Sequence, residues 1–223
     1  GSKHREIGAS MRILAVGAHL DDPEIACGGV LARARAAGHP VKMLILSDSS
    51  YSNYDGTVLR TVDEASQEGT AAATVLGIED LEVLNFSTKD IPYHSTVVEA
   101  IQSRIDQFDP TVILTHWPFD THQAHHHSAL ATLSAARYRT SILMYEPMMP
   151  SGRSYVGFRP QIYVDISGFI QLKLDALKAH HSQFRKYGDA WIEGVESRCR
   201  LRGFEMGVKY AEAFEAARME WQL

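Results

Sequence analysis

The 223-residue sequence predicts an α/β fold, a mostly parallel sheet with helices on both faces, in a single domain. Three observations carry that expectation. Apolar, β-branched runs alternate with segments of helical apolar spacing, the order that builds parallel sheets. The runs are continuously apolar, as strands buried on both faces must be. A chain of this length with 45% hydrophobic residues suffices to bury one such core.

Taken in order, a first strand is expected over residues 12–18 and a helix over 24–37, with Gly38 placed as its C-terminal cap. A second strand over 41–47 precedes a helix over 62–76, which Gly77 closes in the same way. Strand 81–86, helix 96–108 and strand 111–116 follow, then two weaker strands over 141–145 and 161–166. Between those two, residues 148–160 are rich in Pro, Gly, Ser and Arg and read as a long loop, the wall or lid of a site. The tail reads as two helices over 168–184 and 205–220. Residues 1–10 read as a cloning scar before a start at Met11, so the domain is taken as 11–223.

Composition narrows the function. A net charge of -5 offers no basic footprint, which argues against nucleic acid or an anionic membrane surface as partner. Cys27 and Cys199 are too few for a disulfide framework and are not spaced as a thiolate zinc site, so a cytoplasmic location is expected. No apolar stretch is long enough to span a bilayer, and no signal-peptide core is present. Gly28-Gly29 lies inside the first helical pattern, but GxGxxG is missing there, which disfavours a nicotinamide cofactor.

The chemistry sits at two strand ends. His19, Asp21 and Asp22 follow the first apolar run, and a strand ending in ionisable groups delivers them to the rim of the sheet. After the run 112–115 come His116, Asp120, His122, His125, His126 and His127, so five of the eleven histidines fall within twelve residues. Asp21 or Asp22 also suits the N-cap of the following helix, and a solvated histidine-rich helix start would explain any single histidine of the second cluster. In a helix His122 shares a face with His125, with His126 as the alternative partner. Together the clusters supply His, Asp and His, the ligands of a catalytic zinc with one open position, and leave Asp21 as a general base.

The stretch Ala18-His19-Leu20-Asp21-Asp22-Pro23-Glu24 with Gly28-Gly29 resembles the first signature of the LmbE-like, or PIG-L, N-deacetylase family. Asp120-Thr121-His122-Gln123-Ala124-His125 resembles its second motif, and Tyr210-Ala211-Glu212-Ala213-Phe214 a tail segment of many members. The resemblance implies a Rossmann-like fold and a zinc-dependent hydrolase that removes an acyl group, usually acetyl, from the 2-amino group of a glucosamine-type sugar. It implies Zn2+, or another divalent metal, on His19, Asp22 and His125, with Asp21 as general base and His122 stabilising the oxyanion. The implied partner is a small N-acetylated amino-sugar conjugate, and a homo-oligomer is compatible with it. Leu20 stands where the family has proline, Pro23 is inserted, and Ala124 replaces an acidic residue that orients a histidine. Loss of such a partner costs about 10 to 100-fold in activity or metal affinity. A silent sugar- or metal-binding member, and a hydrolase of a related non-sugar amide, are therefore the alternatives. Arg60 is a candidate substrate contact, and Trp117 and Tyr155 are candidates to stack on a sugar face.

Overall fold

The computed structural model describes residues 10–221, so nine of the ten residues read as a cloning scar lie outside the described part. Its first half runs β1 (Ile13–Gly17), α1 (Asp22–Ala36), β2 (Val41–Ser47), a short hairpin of β3 (Tyr51–Ser52) and β4 (Val58–Arg60), α2 (Val62–Val75) and β5 (Asp80–Phe86). Then come α3 (Ser95–Phe108), β6 (Val112–Thr115), α4 (Gln123–Ala135), β7 (Ile142–Tyr145) and β8 (Ile162–Asp165). The chain closes with α5 (Ile170–Ala179), α6 (His181–Tyr187), α7 (Asp189–Met206) and β9 (Ala211–Arg218).

Seven strands form one sheet in the order β5-β2-β1-β6-β7-β9-β8. The first five are mutually parallel, and β9 runs against both its neighbours. This is the expected mostly parallel α/β architecture. One core packs α1, α2 and α5 on one face of the sheet through Leu31, Ala72, Leu76 and Ala176. The other packs α3 and α4 on the opposite face through Val97, Ile101, Ala131 and Ala135. Because β1 and β6 are neighbours whose helices leave to opposite faces, their C-terminal ends open a crevice at the topological switch point.

Local chemistry explains the elements that frame this crevice. Thr61 and Glu64 form a capping box at the start of α2, with Thr61 Oγ1 accepting from Glu64 N at 3.1 Å and Glu64 Oε2 from Thr61 N at 2.9 Å. Gly38 and Gly77 follow their helices with φ of 85° and 76°, the left-handed stop expected of them. Helix α1 is broken at Cys27, where φ is -141°, and restarts at Gly28-Gly29. The Glu212 carboxylate accepts the freed N–H groups of Gly29 and Val30 at 3.2 and 2.6 Å, and the buried Lys173 ammonium pairs with it. A Cβ on Gly29 would lie 2.7 Å from Ile166, so close packing on the sheet requires glycine there.

The tail departs from its expected form. Residues 205–220 are no helix: α7 ends at Met206, Gly207 turns the chain with φ 81°, and Ala211–Arg218 forms β9. Its Ala- and Glu-rich sequence favours a helix, but Ala211 to Glu215 are buried and find their partners only as a strand between β7 and β8. The expected helix over 168–184 is divided at His180 into α5 and α6. Among the described residues no helix is long and apolar enough to cross a membrane.

Candidate active site

Strand β1 delivers its chemistry through a tight turn. His19 N donates to Asp22 Oδ2 at 2.7 Å, and Asp22 N donates back to His19 O at 3.2 Å. Between them Asp21 has φ 121°, a conformation that costs a non-glycine residue of order 1–3 kcal/mol and persists only when its surroundings enforce it. The neighbours do so at Leu20. Its N–H donates to Ser49 Oγ at 2.9 Å, its carbonyl accepts from Arg60 Nη1 at 3.0 Å, and its side chain packs so closely on α2 that a Cβ on Gly69 would fall 2.5 Å away. Asp21 occupies the N-cap position of α1 but makes no capping bond with its side chain, which instead lines the pocket.

Asp22 lies at the centre of an imidazole cluster. Its Oδ2 is 3.2 Å from both His19 Nδ1 and His116 Nε2, and its Oδ1 is 3.3 Å from His125 Nε2. His125 Nδ1 is held at 2.9 Å by Asp120 Oδ2, while Asp120 Oδ1 accepts the backbone N–H of His122 at 2.7 Å. His125 thus lies between two carboxylates, Asp120 holding its Nδ1 while its Nε2 faces Asp22. His19 Nε2 is buried without a hydrogen-bond partner, although its other nitrogen faces Asp22. Two overlapping sets of donors, His19/His122/His125 and Asp22/His116/His125, each lie close enough to share a metal ion. A buried imidazole nitrogen without a partner, beside a carboxylate and a second imidazole, fits such an ion.

The electrostatics agree. Burial works against charge on His125, but Asp22 and Asp120 outweigh it and push the imidazole up to about 10. Burial also opposes ionisation of Asp22, yet His125, His19 and His116 hold it well below the usual carboxylate range. Burial and then the Asp22 charge push Asp21 up to about 7, so it can both take and return a proton near neutrality. Burial and then His125 push His116 and His122 down to about 4. His116 Nε2 accepts the Ala18 N–H at 3.0 Å, which fastens β1 to β6. His122 Nδ1 accepts the Ala124 N–H at 3.2 Å, which leaves the proton on Nε2 as a donor.

The structure therefore brings together His19, Asp21, Asp22, His122 and His125 around one cavity of about 930 Å³. His126 and His127 are excluded from it, because their Nδ1 atoms bond the carbonyls of Pro118 and Ile91. Met148 to Ser151 form one wall, as expected of the long loop, and Gln183, Tyr187 and Trp191 of the tail form another. Arg60 lines the cavity but is only 2% exposed, with its guanidinium committed to Leu20 O, Glu68 at 3.2 Å and His180 Nδ1 at 3.0 Å. Its contacts secure the Asp21 turn. His180 also pairs with Glu24, and neither residue carried a local sequence signal beyond the motif that contains Glu24. Trp117 is buried, donates to Glu215 at 3.1 Å and lines a side cavity of about 350 Å³ on which Tyr155, 92% exposed, also opens. Ala124 is buried at the start of α4, where it both borders the core and lines the cavity.

Residues 14–136 match the family model described as PIG-L, GlcNAc-PI de-N-acetylase. The chain is 27% identical over 222 residues to diacetylchitobiose deacetylase of Thermococcus kodakarensis, covering 90% of this chain and 81% of that protein. It is 30% identical over 177 residues to an uncharacterized deacetylase, YaiS, of Escherichia coli, covering 76% of this chain and 90% of that one. Among solved structures, the conserved protein TT1542 of Thermus thermophilus superposes with a TM-score of 0.81 at 25% identity, covering 96% of this chain and 97% of its own.

Proposed function

The chain belongs to the PIG-L family of de-N-acetylases, and on that premise we propose that it is a metal-dependent hydrolase that removes an N-acyl group, acetyl in the simplest case, from the 2-amino group of an amino-sugar conjugate. The observation that carries this reading is the unpartnered, buried Nε2 of His19 beside the Asp22–His125 contact, with Asp21 next to it on the same cavity. His19, Asp22 and His125 would hold the metal, and their nitrogen and oxygen donors suit zinc. When bound there, the metal polarises the amide carbonyl and acidifies water.

The rest of the chemistry falls to the chain. Asp21, raised toward neutrality, takes the proton of the attacking water and gives it to the leaving amine. His122 Nε2–H donates to the oxyanion as the carbonyl becomes tetrahedral. Asp120 fixes the ring of His125, the part that a carboxylate beside a metal-binding histidine plays. The substrate is a small molecule, and the two free, buried cysteines accord with the reducing cytoplasm in which we place the protein. The experiment is a mass-spectrometric screen of N-acetylhexosamine conjugates with metal-loaded protein. Loss of one acetyl group, abolished in Asp21→Asn, is expected. Substrates bound without turnover would favour a silent member, and turnover of non-sugar amides alone would favour the other alternative.

A further inference from the structure

The loop between β7 and β8 walls the cavity with Met148 to Ser151 and with Arg153, but Gly152 between them is buried. It lies against Asp120. A Cβ at position 152 would fall 2.7 Å from Pro147 Cβ, 3.0 Å from Met148 O and 3.2 Å from Asp120 Oδ2. That oxygen is the one that holds His125 Nδ1 at 2.9 Å. Packing this close does not absorb an added methyl without a shift, so any side chain at 152 must move either the loop's own turn or the Asp120 carboxylate.

The turn has little freedom to give way. Gly152 N and Ser151 Oγ both donate to Met148 O, at 2.8 and 3.2 Å, and Thr121 Oγ1, beside Asp120 in the chain, donates to Ser151 O at 2.9 Å. At the base of the loop Arg198 Nη1 donates to Pro147 O at 2.5 Å, which fastens it to α7. The far end is tied where Glu215 accepts from Arg159. Residues 154–158 make no hydrogen bond among the described residues, so the seat of Ser151 and Gly152 on Asp120 and Thr121 is what fixes the wall between those anchors. The Asp120 side chain is left 1% exposed. A hydrogen bond to a charged group is stronger where water is kept out, so the seal also serves the Asp120–His125 bond. Resting on the metal-dependent reading for its effect on the metal, we infer that Gly152 is a positioning residue: it lets the cavity wall close on Asp120, keeps water from the Asp120–His125 bond, and so couples the order of the wall to the grip of His125 on the metal.

Three measurements on the full chain test this. Zinc affinity, from competition with a chelator, should fall about 10 to 100-fold in G152A, the usual cost of disturbing the partner of a metal-binding histidine. Because coupling between two sites is reciprocal, zinc should slow tryptic cleavage after Arg153 in wild type, and do so less in G152A. In metal-free protein the proton on His125 Nδ1, assigned by its absence from His125→Ala, should be visible by NMR in wild type and lost to exchange with water in G152A. The control is Gly157→Ala in the same loop, where a Cβ meets nothing within 4 Å and all three readouts should keep their wild-type values. Should G152A fail to fold, Thr121→Val removes the bond to Ser151 O without adding bulk to the loop, and should move the same readouts in the same direction by less. Wild-type zinc affinity with a protected imidazole proton in either variant would overturn the inference, as would equal losses in Gly157→Ala. A wild type that takes up no zinc, yet whose protected proton is lost in G152A, would instead sink the metal-dependent reading and leave the role of Gly152 toward His125 standing.

Discussion

Asp21 and Asp22 are adjacent in sequence and opposite in character. Three imidazoles hold Asp22 ionised, whereas burial and that very charge push Asp21 up. Asp21→Asn should therefore keep stoichiometric metal while hydrolysis falls by about 10² to 10⁴-fold, the usual worth of a general base. Near-normal turnover by the loaded variant would remove Asp21 from the reaction. His125→Ala should lose the metal and His126→Ala should retain it, as read by metal analysis, because only His125 faces Asp22. Ala124 bears on His122. Asp120 is spent on His125 and on a backbone N–H, so among the described residues no carboxylate pairs with the His122 ring. Ala124→Asp should then raise kcat by about 10 to 100-fold with less effect on KM. An unchanged or lower kcat at equal metal content would show that the chain has settled around alanine. The sequence made His19, Asp21, Asp22, His122 and His125 legible because their chemistry lies in two short segments. His180 was illegible because it lies 120 residues from the Arg60 it meets, and Glu68, though near Arg60 in sequence, because it reads as an ordinary polar residue of α2.

At the level of elements, the strands and helices with a strong period were readable almost to their ends. Residues 41–47 form β2 as expected, and 62–76 differ from α2 by one residue. The last tail element failed for a physical reason: Glu212 and Glu215 look like solvent-facing helix residues, yet each is buried against a cation or donor supplied by another element. The Lys173–Glu212 pair is a measurable instance. Lys173→Met leaves a buried carboxylate without its cation and should cost about 3–5 kcal/mol in urea denaturation. Glu212 would keep its bonds to Gly29 and Val30, so the loss should show as a lower midpoint of one cooperative transition. A change below 1 kcal/mol, on the same scale of pair energies, would mean that water reaches the pair.

For the whole molecule, the ligands of one metal would join the ends of β1 and β6 across the middle of the sheet, so binding is linked to global unfolding. At a metal concentration of about 100 Kd the folded state gains about 2.7 kcal/mol. In a domain of this size each kcal/mol is worth about 2–4 °C, so a chelator should lower Tm by roughly 5–10 °C. Scanning calorimetry should show that shift in wild type and in His126→Ala, and none in His125→Ala. An equal shift in His125→Ala would place the metal elsewhere.

The bond between Glu212 and the backbone of α1 spans 183 residues. A ribosome adding about 5–20 residues per second needs roughly ten to forty seconds to cover that distance. Throughout that interval the nascent chain already holds His19, Asp21 and Asp22, but the helix behind them lacks the acceptor for its two freed amides. Competence for catalysis is thus a property of the finished polypeptide, and a protein cut short by premature termination would carry every reactive group and still present them on an unfinished helix.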